Sequence, residues 1–177
     1  GIVLVLAHLG NWEIAGIVFA SMGFPLTSIA RPLRNKLLNS KVERLRKMSG
    51  QQVLWKQSAH EILTRLKSGE VVAFLADQNA GRKGIVTDFL NVPATVSKAP
   101  ALFACRSGSA IVPVMIRRTE RDIQEVTFGK PIYPEEFDDY EDPVIEITLS
   151  YTRVLEEYVS RNPEQWMWFH KRWDISS

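Results

Sequence analysis

Apolar residues along this chain follow two periods. Unbroken apolar runs rich in β-branched residues occur at 2–7 ("IVLVLA"), 71–76 ("VVAFLA") and 110–116, each bounded by turn-forming residues, which predicts strands. Between them, apolar positions recur at helical spacing at about 12–22, 36–48, 58–67 and 97–107. Strands alternating with helices predict an α/β fold with a mixed, mainly parallel central sheet flanked by helices. "IVLVLA" and "VVAFLA" are apolar at every position, as expected of central strands covered on both faces. Shorter strand candidates lie at 26–30, 52–55 and 123–128. The acidic "YPEEFDDYEDP" reads as a loop leading into an amphipathic helix from about 144 to 160, with Ile145, Leu149, Thr152 and Leu155 near one stripe. No repeat or linker interrupts the pattern, so 1–177 reads as one domain.

Composition narrows the function classes. The 177 residues are 45% hydrophobic and 24% charged, ordinary for one globular domain. With 22 basic and 20 acidic residues the net charge is +2, which argues against a nucleic-acid partner, so any basic site must be local. The single cysteine, Cys105, excludes an internal disulfide framework and a multi-cysteine zinc site, and is read as helix packing. His60 and His170 lack metal-ligand spacing to His8, so neither a metal nor a cofactor is expected. No apolar run reaches the roughly eighteen residues of a membrane-spanning helix. The chain starts at Gly1, directly on a strand-like run. We therefore expect a piece of a longer protein, with any membrane anchor upstream.

The run "LVLAHLGNWEIAG" brings His8 and Glu13 five residues apart. In a continuous helix they would sit about 140° apart around the axis. A strand ending near Ala7, a turn through Leu9 and Gly10, and Asn11 as helix N-cap would place both above the carboxyl edge of the sheet, where open α/β sheets keep their sites. This suits general-base catalysis: a neutral imidazole takes a proton from an attacking hydroxyl while Glu13 fixes its tautomer. The competing reading is structural, with Glu13 favouring a helix start and His8 capping a strand.

"RPLRNKLLNSKVERLRKMSG" sets Arg31 and Arg34 before a helix with apolar stripe Leu38, Val42, Leu45 and Met48, leaving Arg44 and Arg46 off the stripe. These cations are either a solvated face or an anion site, since guanidinium groups grip phosphates in a forked geometry. Asp77 ends the run "VVAFLA" and precedes "QNAGRKG", so it should emerge beside His8 or cap its own turn. Arg82 and Lys83 are candidates for a phosphate, or for a plain surface turn. "NVPATVSKAP" reads as a loop and a helix capped by Ser97. Phe89, Leu90 and Phe103 are candidates for lining an apolar channel or for core. The tail "RNPEQWMWFHKRW" predicts a helix or turn starting at Asn162 and Pro163. Its aromatics either anchor at an interface or pack inward, with Trp166, Phe169 and Trp173 on one helical face.

"HLGNWE", "RPLRNKLLN", "DQNAGRKG" and "PEQWMWFHKRW", in this order from His8 to Trp173, resemble the lipid A biosynthesis acyltransferases, the lauroyl and myristoyl transferases related to glycerolipid acyltransferases. The resemblance implies transfer of a fatty acyl group from acyl carrier protein to a hydroxyl of a lipid A precursor, a glycolipid, at the cytoplasmic face of the inner membrane, with the membrane surface as a partner. It implies His8 and Glu13 as the catalytic pair and a functional arginine at Arg46 or Arg44. Its "DQ" motif matches Asp77-Gln78, which favours a functional Asp77, and with Arg31, Arg82 and Lys83 from the local reading the candidate substrate-binding set is Arg31, Arg44, Arg46, Asp77, Arg82 and Lys83. Other acceptors, such as a lysophospholipid or a mannolipid, and a non-catalytic lipid- or carrier-binding module remain as alternatives. A serine hydrolase is disfavoured, because no G-x-S-x-G elbow occurs.

Overall fold

A computed structural model describes residues 1–55 and 58–174. A six-stranded sheet forms from β1 (Ile2–Leu6), β2 (Leu26–Ala30), β3 (Gln52–Trp55), β4 (Val71–Leu75), β7 (Ala110–Arg118) and β8 (Gln124–Phe128), in the order β3-β2-β4-β1-β7-β8. All neighbours pair in parallel except β8, which returns antiparallel to β7. The mixed, mainly parallel sheet expected from the hydrophobic pattern is therefore present. β1 sits centrally between β4 and β7 and is covered on both faces. Val3 and Val5 join the main core with helices α3 (Ala59–Lys67), α4 (Ala99–Ser107) and α5 (Pro143–Arg161), while Leu4 packs in a smaller cluster with Ala20 of helix α1 (Trp12–Ser21). Phe89 and Phe103 belong to the main core, which favours packing over an acyl channel for both.

Several local expectations change. The start of "NVPATVSKAP", read as a loop, is instead the second strand of a hairpin of β5 (Ile85–Phe89) and β6 (Val92–Val96), turning at Leu90 and Asn91, both at positive φ. Leucine disfavours that conformation. A tertiary contact holds it there: the Leu90 backbone N–H donates to Glu156 Oε1 of α5 at 2.8 Å. Helix α4 starts one residue later than a Ser97 cap requires, with Lys98 at the cap position; Ser97 Oγ still accepts from the Ala99 N–H at 3.3 Å. The buried stripe of α5 runs through Ile147, Tyr151, Leu155 and Val159, so Ile145 and Leu149 sit at its border. Helix α2 (Lys36–Met48) buries no residue at all. It packs against α1 and β3, and Leu38, Leu45 and Met48 are 51%, 54% and 73% exposed.

The tail forms the turn expected at Asn162 and Pro163 but not the helix. Only a short 3-10 turn forms, at Pro163–Gln165; the chain then runs extended, bridging Leu9 to Trp166. Met167 N–H donates to the His8 carbonyl at 3.0 Å, and Gly10 N–H to the Gln165 carbonyl at 3.1 Å. These bonds to the turn after β1 compete with continued helix. Trp166 is consequently buried, whereas Phe169 is 99% exposed, so the two share no packed face.

Candidate active site

β1 ends at Leu6 and its register with β4 pairs Leu6 with Leu75. Two residues further on, His8 and Asp77 leave the carboxyl edge of adjacent parallel strands side by side. Gly10, at φ +60°, reverses the chain over the backbone of Ile116 and Arg117. Asn11 then caps α1 by accepting the Ile14 N–H at 3.1 Å. The strand, turn and cap expected around His8 are all in place.

The partner of His8 is not the one the His-Glu spacing suggested. His8 Nδ1 meets Asp77 Oδ1 at 2.7 Å, and the His8 backbone N–H donates to Asp77 Oδ2 at 2.8 Å. The Glu13 carboxylate turns instead to Arg46, taking a hydrogen bond from Nε at 3.0 Å and another from Nη2. Residue Trp12 explains the divergence: at the start of α1 it sets its ring edge-on to the imidazole, with centroids 4.9 Å apart, so the next position points to α2. The expected hydrogen bond between Glu13 and His8 is thus replaced by two separate pairs, His8–Asp77 and Glu13–Arg46.

An ionised carboxylate only accepts, so bonding to Asp77 places the imidazole proton on Nδ1 and leaves the Nε2 lone pair free. Nε2 faces the Gln78 amide at 3.5 Å, too long for a strong hydrogen bond. Asp77 is 1% exposed and takes a third bond, from Trp166 Nε1 at 2.7 Å. Burial pushes its carboxyl up, but the His8 ring, the Trp166 indole and the His8 backbone N–H together outweigh that and hold it below the ordinary value. Sequence reasoning placed Asp77 beside His8 but counted it with the substrate-binding residues. The signal for its closer role was the equal reach of "IVLVLAH" and "VVAFLAD", which end on these two residues in neighbouring strands.

The other candidates divide. Arg46, with a side chain 15% exposed, is drawn in by Glu13, while Arg44 stays on the outer side of α2 beside Ser40 and Lys47. Arg31 is exposed after β2, at the same sheet edge as His8 and Asp77. Arg82 and Lys83 are exposed on a 3-10 turn, Gly81–Lys83. Under α1 runs an apolar cleft of about 80 Å³, lined by Leu4, Leu6, Phe19, Leu26 and Val114, with Trp12 and the Glu13–Arg46 pair also in its wall. Trp12 therefore contacts both the imidazole and the cleft. No helix among the described residues is long and apolar enough to cross a membrane.

The family model for bacterial lipid A biosynthesis acyltransferases matches residues 1–174. A phosphatidylinositol mannoside acyltransferase of Mycobacterium tuberculosis is 26% identical over 178 residues, 98% of this chain and 54% of that protein. The lipid A biosynthesis palmitoleoyltransferase and lauroyltransferase of Escherichia coli are 27% and 28% identical, each covering 97% of this chain and 55% and 56% of their own lengths. The chain spans about half the length of the curated relatives it matches.

Proposed function

Because this chain belongs to the bacterial lipid A biosynthesis acyltransferase family, we propose that it carries the catalytic site of a lipid acyltransferase that moves a fatty acyl group from acyl carrier protein to a hydroxyl of a lipid A precursor. The observation that carries this reading is the His8–Asp77 pair, set beside Trp12, which in turn lines an apolar cleft. His8 Nε2 takes the proton of the acceptor hydroxyl as its oxygen attacks the thioester carbonyl. The tetrahedral intermediate collapses, the C–S bond breaks, and the imidazolium returns the proton to the departing thiolate. Asp77 holds the tautomer and steadies the imidazolium, as a buried carboxylate does for a catalytic histidine. Donor activation is already present in the thioester, so no side-chain nucleophile is required. The cleft under α1 receives the first few methylenes of the acyl chain, and the Glu13–Arg46 pair shapes its wall.

Arg31, at the same sheet edge, is positioned to meet acceptor phosphates, with Arg82 and Lys83 on the loop after Asp77. Exposed Leu37, Leu38, Leu45 and Met48 on α2, among Arg34, Lys41, Arg44 and Lys47, suit contact with an anionic bilayer surface, apolar groups inward and cations at the headgroups. This fits peripheral action at the cytoplasmic face of the inner membrane. The name of the mycobacterial relative favours a second acceptor, a mannosylated phosphatidylinositol, with the same chemistry. Lipid mass spectrometry after expression separates them by which glycolipid gains one acyl mass. With His8→Ala that gain should fall ~10² to 10⁴-fold; transfer at the wild-type rate overturns the mechanism.

A further inference from the structure

The segment after α5 is tied to the site at many points. The Gln165 side chain clamps the Arg118 backbone, accepting its N–H at 2.7 Å and donating to its carbonyl at 2.9 Å. Trp173 Nε1 donates to the Phe89 carbonyl at 3.0 Å, Asn79 Nδ2 donates to the Lys171 carbonyl at 3.1 Å, and Arg172 Nη1 donates to the Thr95 carbonyl. The strap so formed delivers one side chain to the catalytic pair: Trp166, 4% exposed, whose indole N–H reaches Asp77 Oδ2.

We propose that Trp166 is a positioning residue for the base: its indole N–H and the His8 backbone N–H grip Oδ2 of Asp77 from two sides, so that Oδ1 alone is presented to His8 Nδ1. With only the backbone contact, the carboxylate could rotate about its Cβ–Cγ bond and the imidazole would lose its fixed orientation. The strap also brings a charge. Arg172 is 0% exposed, lies 4.6 Å over the Phe89 ring, and has Nε and Nη2 without a hydrogen-bond partner among the described residues. The Phe89 ring in turn sits 5.7 Å from that of Trp166. The charged groups acting on Arg172 are Asp77 and Glu156 of α5, and burial lowers its own proton affinity to about 10, leaving it a cation at neutral pH. The ring of His170 also stands edge-on to Trp166, with centroids 5.7 Å apart. Donor and cation both draw on the Asp77 charge, so without the indole N–H that charge bears more fully on the His8 ring.

This inference rests on His8 being the base. Its test replaces the Trp166 side chain with the isosteric benzothiophene, which keeps the ring volume and removes the N–H, alongside Trp166→Phe. We expect kcat to fall about tenfold with KM for the acyl donor unchanged. The acid limb of the kcat/KM profile should move to higher pH, and the downfield proton resonance of His8 Nδ1–H should broaden. A merely structural tryptophan would leave the profile and the resonance of the isostere unchanged, and that result overturns the proposal. If His8→Ala transfers acyl groups normally, the reading of the site fails instead; if His8→Ala is inactive while the isostere matches wild type, only the positioning role fails.

Discussion

Asp77 grips His8 at two atoms, with Oδ1 on the ring Nδ1 at 2.7 Å and Oδ2 on the backbone N–H at 2.8 Å, so one buried carboxylate sets both the tautomer and the turn that carries it. Stability should depend on pH accordingly. The Asp77 carboxyl lies below its ordinary 3.8 in the folded protein, so it binds a proton more readily unfolded. Its contribution is complete above that ordinary value and is lost as pH falls through the folded one. Urea midpoints followed from about pH 5 to pH 2 should fall less steeply in Asp77→Asn than in wild type.

The Glu13–Arg46 pair should be separable from catalysis. Glu13 is 37% exposed and Arg46 15%, so solvent screens the pair, and a double-mutant cycle in denaturant should give a coupling of about 0.2–1 kcal/mol. Because the pair walls the cleft, Glu13→Gln should raise KM for the acyl donor while leaving the pH profile of kcat in place.

Gly10 should resist substitution. At φ +60°, an added Cβ would stand 2.5 Å from the Ile116 carbonyl oxygen, a backbone atom that cannot swing away. Gly10→Ala is expected to cost roughly 1–3 kcal/mol in backbone strain alone, and thermal unfolding measures it. Activity should fall with it, since the same turn carries His8.

Tyr151 offers a control remote from the chemistry. Its hydroxyl, fully buried, donates to the Ser97 carbonyl at the start of α4, and burial raises its ionisation well above the usual range. Tyr151→Phe leaves that carbonyl without its donor and should cost about 1–3 kcal/mol by denaturant titration, with kcat unchanged at a temperature where both forms are folded.

The sheet was legible in the sequence because burial on both faces writes an unbroken apolar run, and "IVLVLA" and "VVAFLA" did become neighbouring central strands. The His8 turn was legible because Gly10 and Asn11 each serve a local backbone need. What the sequence concealed depends on contacts between distant segments. The Leu90–Asn91 turn runs against local preference and is held by Glu156 of α5. The tail has good helix-start signals at Asn162 and Pro163, yet its backbone pairs with the turn after β1. The identity of the carboxylate on His8 was hidden for the same reason: Glu13 is near in sequence, but Asp77, 69 residues away, is near in the sheet.

The central claim is that His8 is the base and Asp77, rather than Glu13, its carboxylate. The direct measurement is kcat/KM for acyl transfer in Asp77→Asn and Glu13→Gln under identical conditions. The account predicts a loss of about 10² to 10⁴ for Asp77→Asn, whose amide cannot hold the base tautomer, and a far smaller loss for Glu13→Gln. Near wild-type transfer in Asp77→Asn, with collapse in Glu13→Gln, would contradict it.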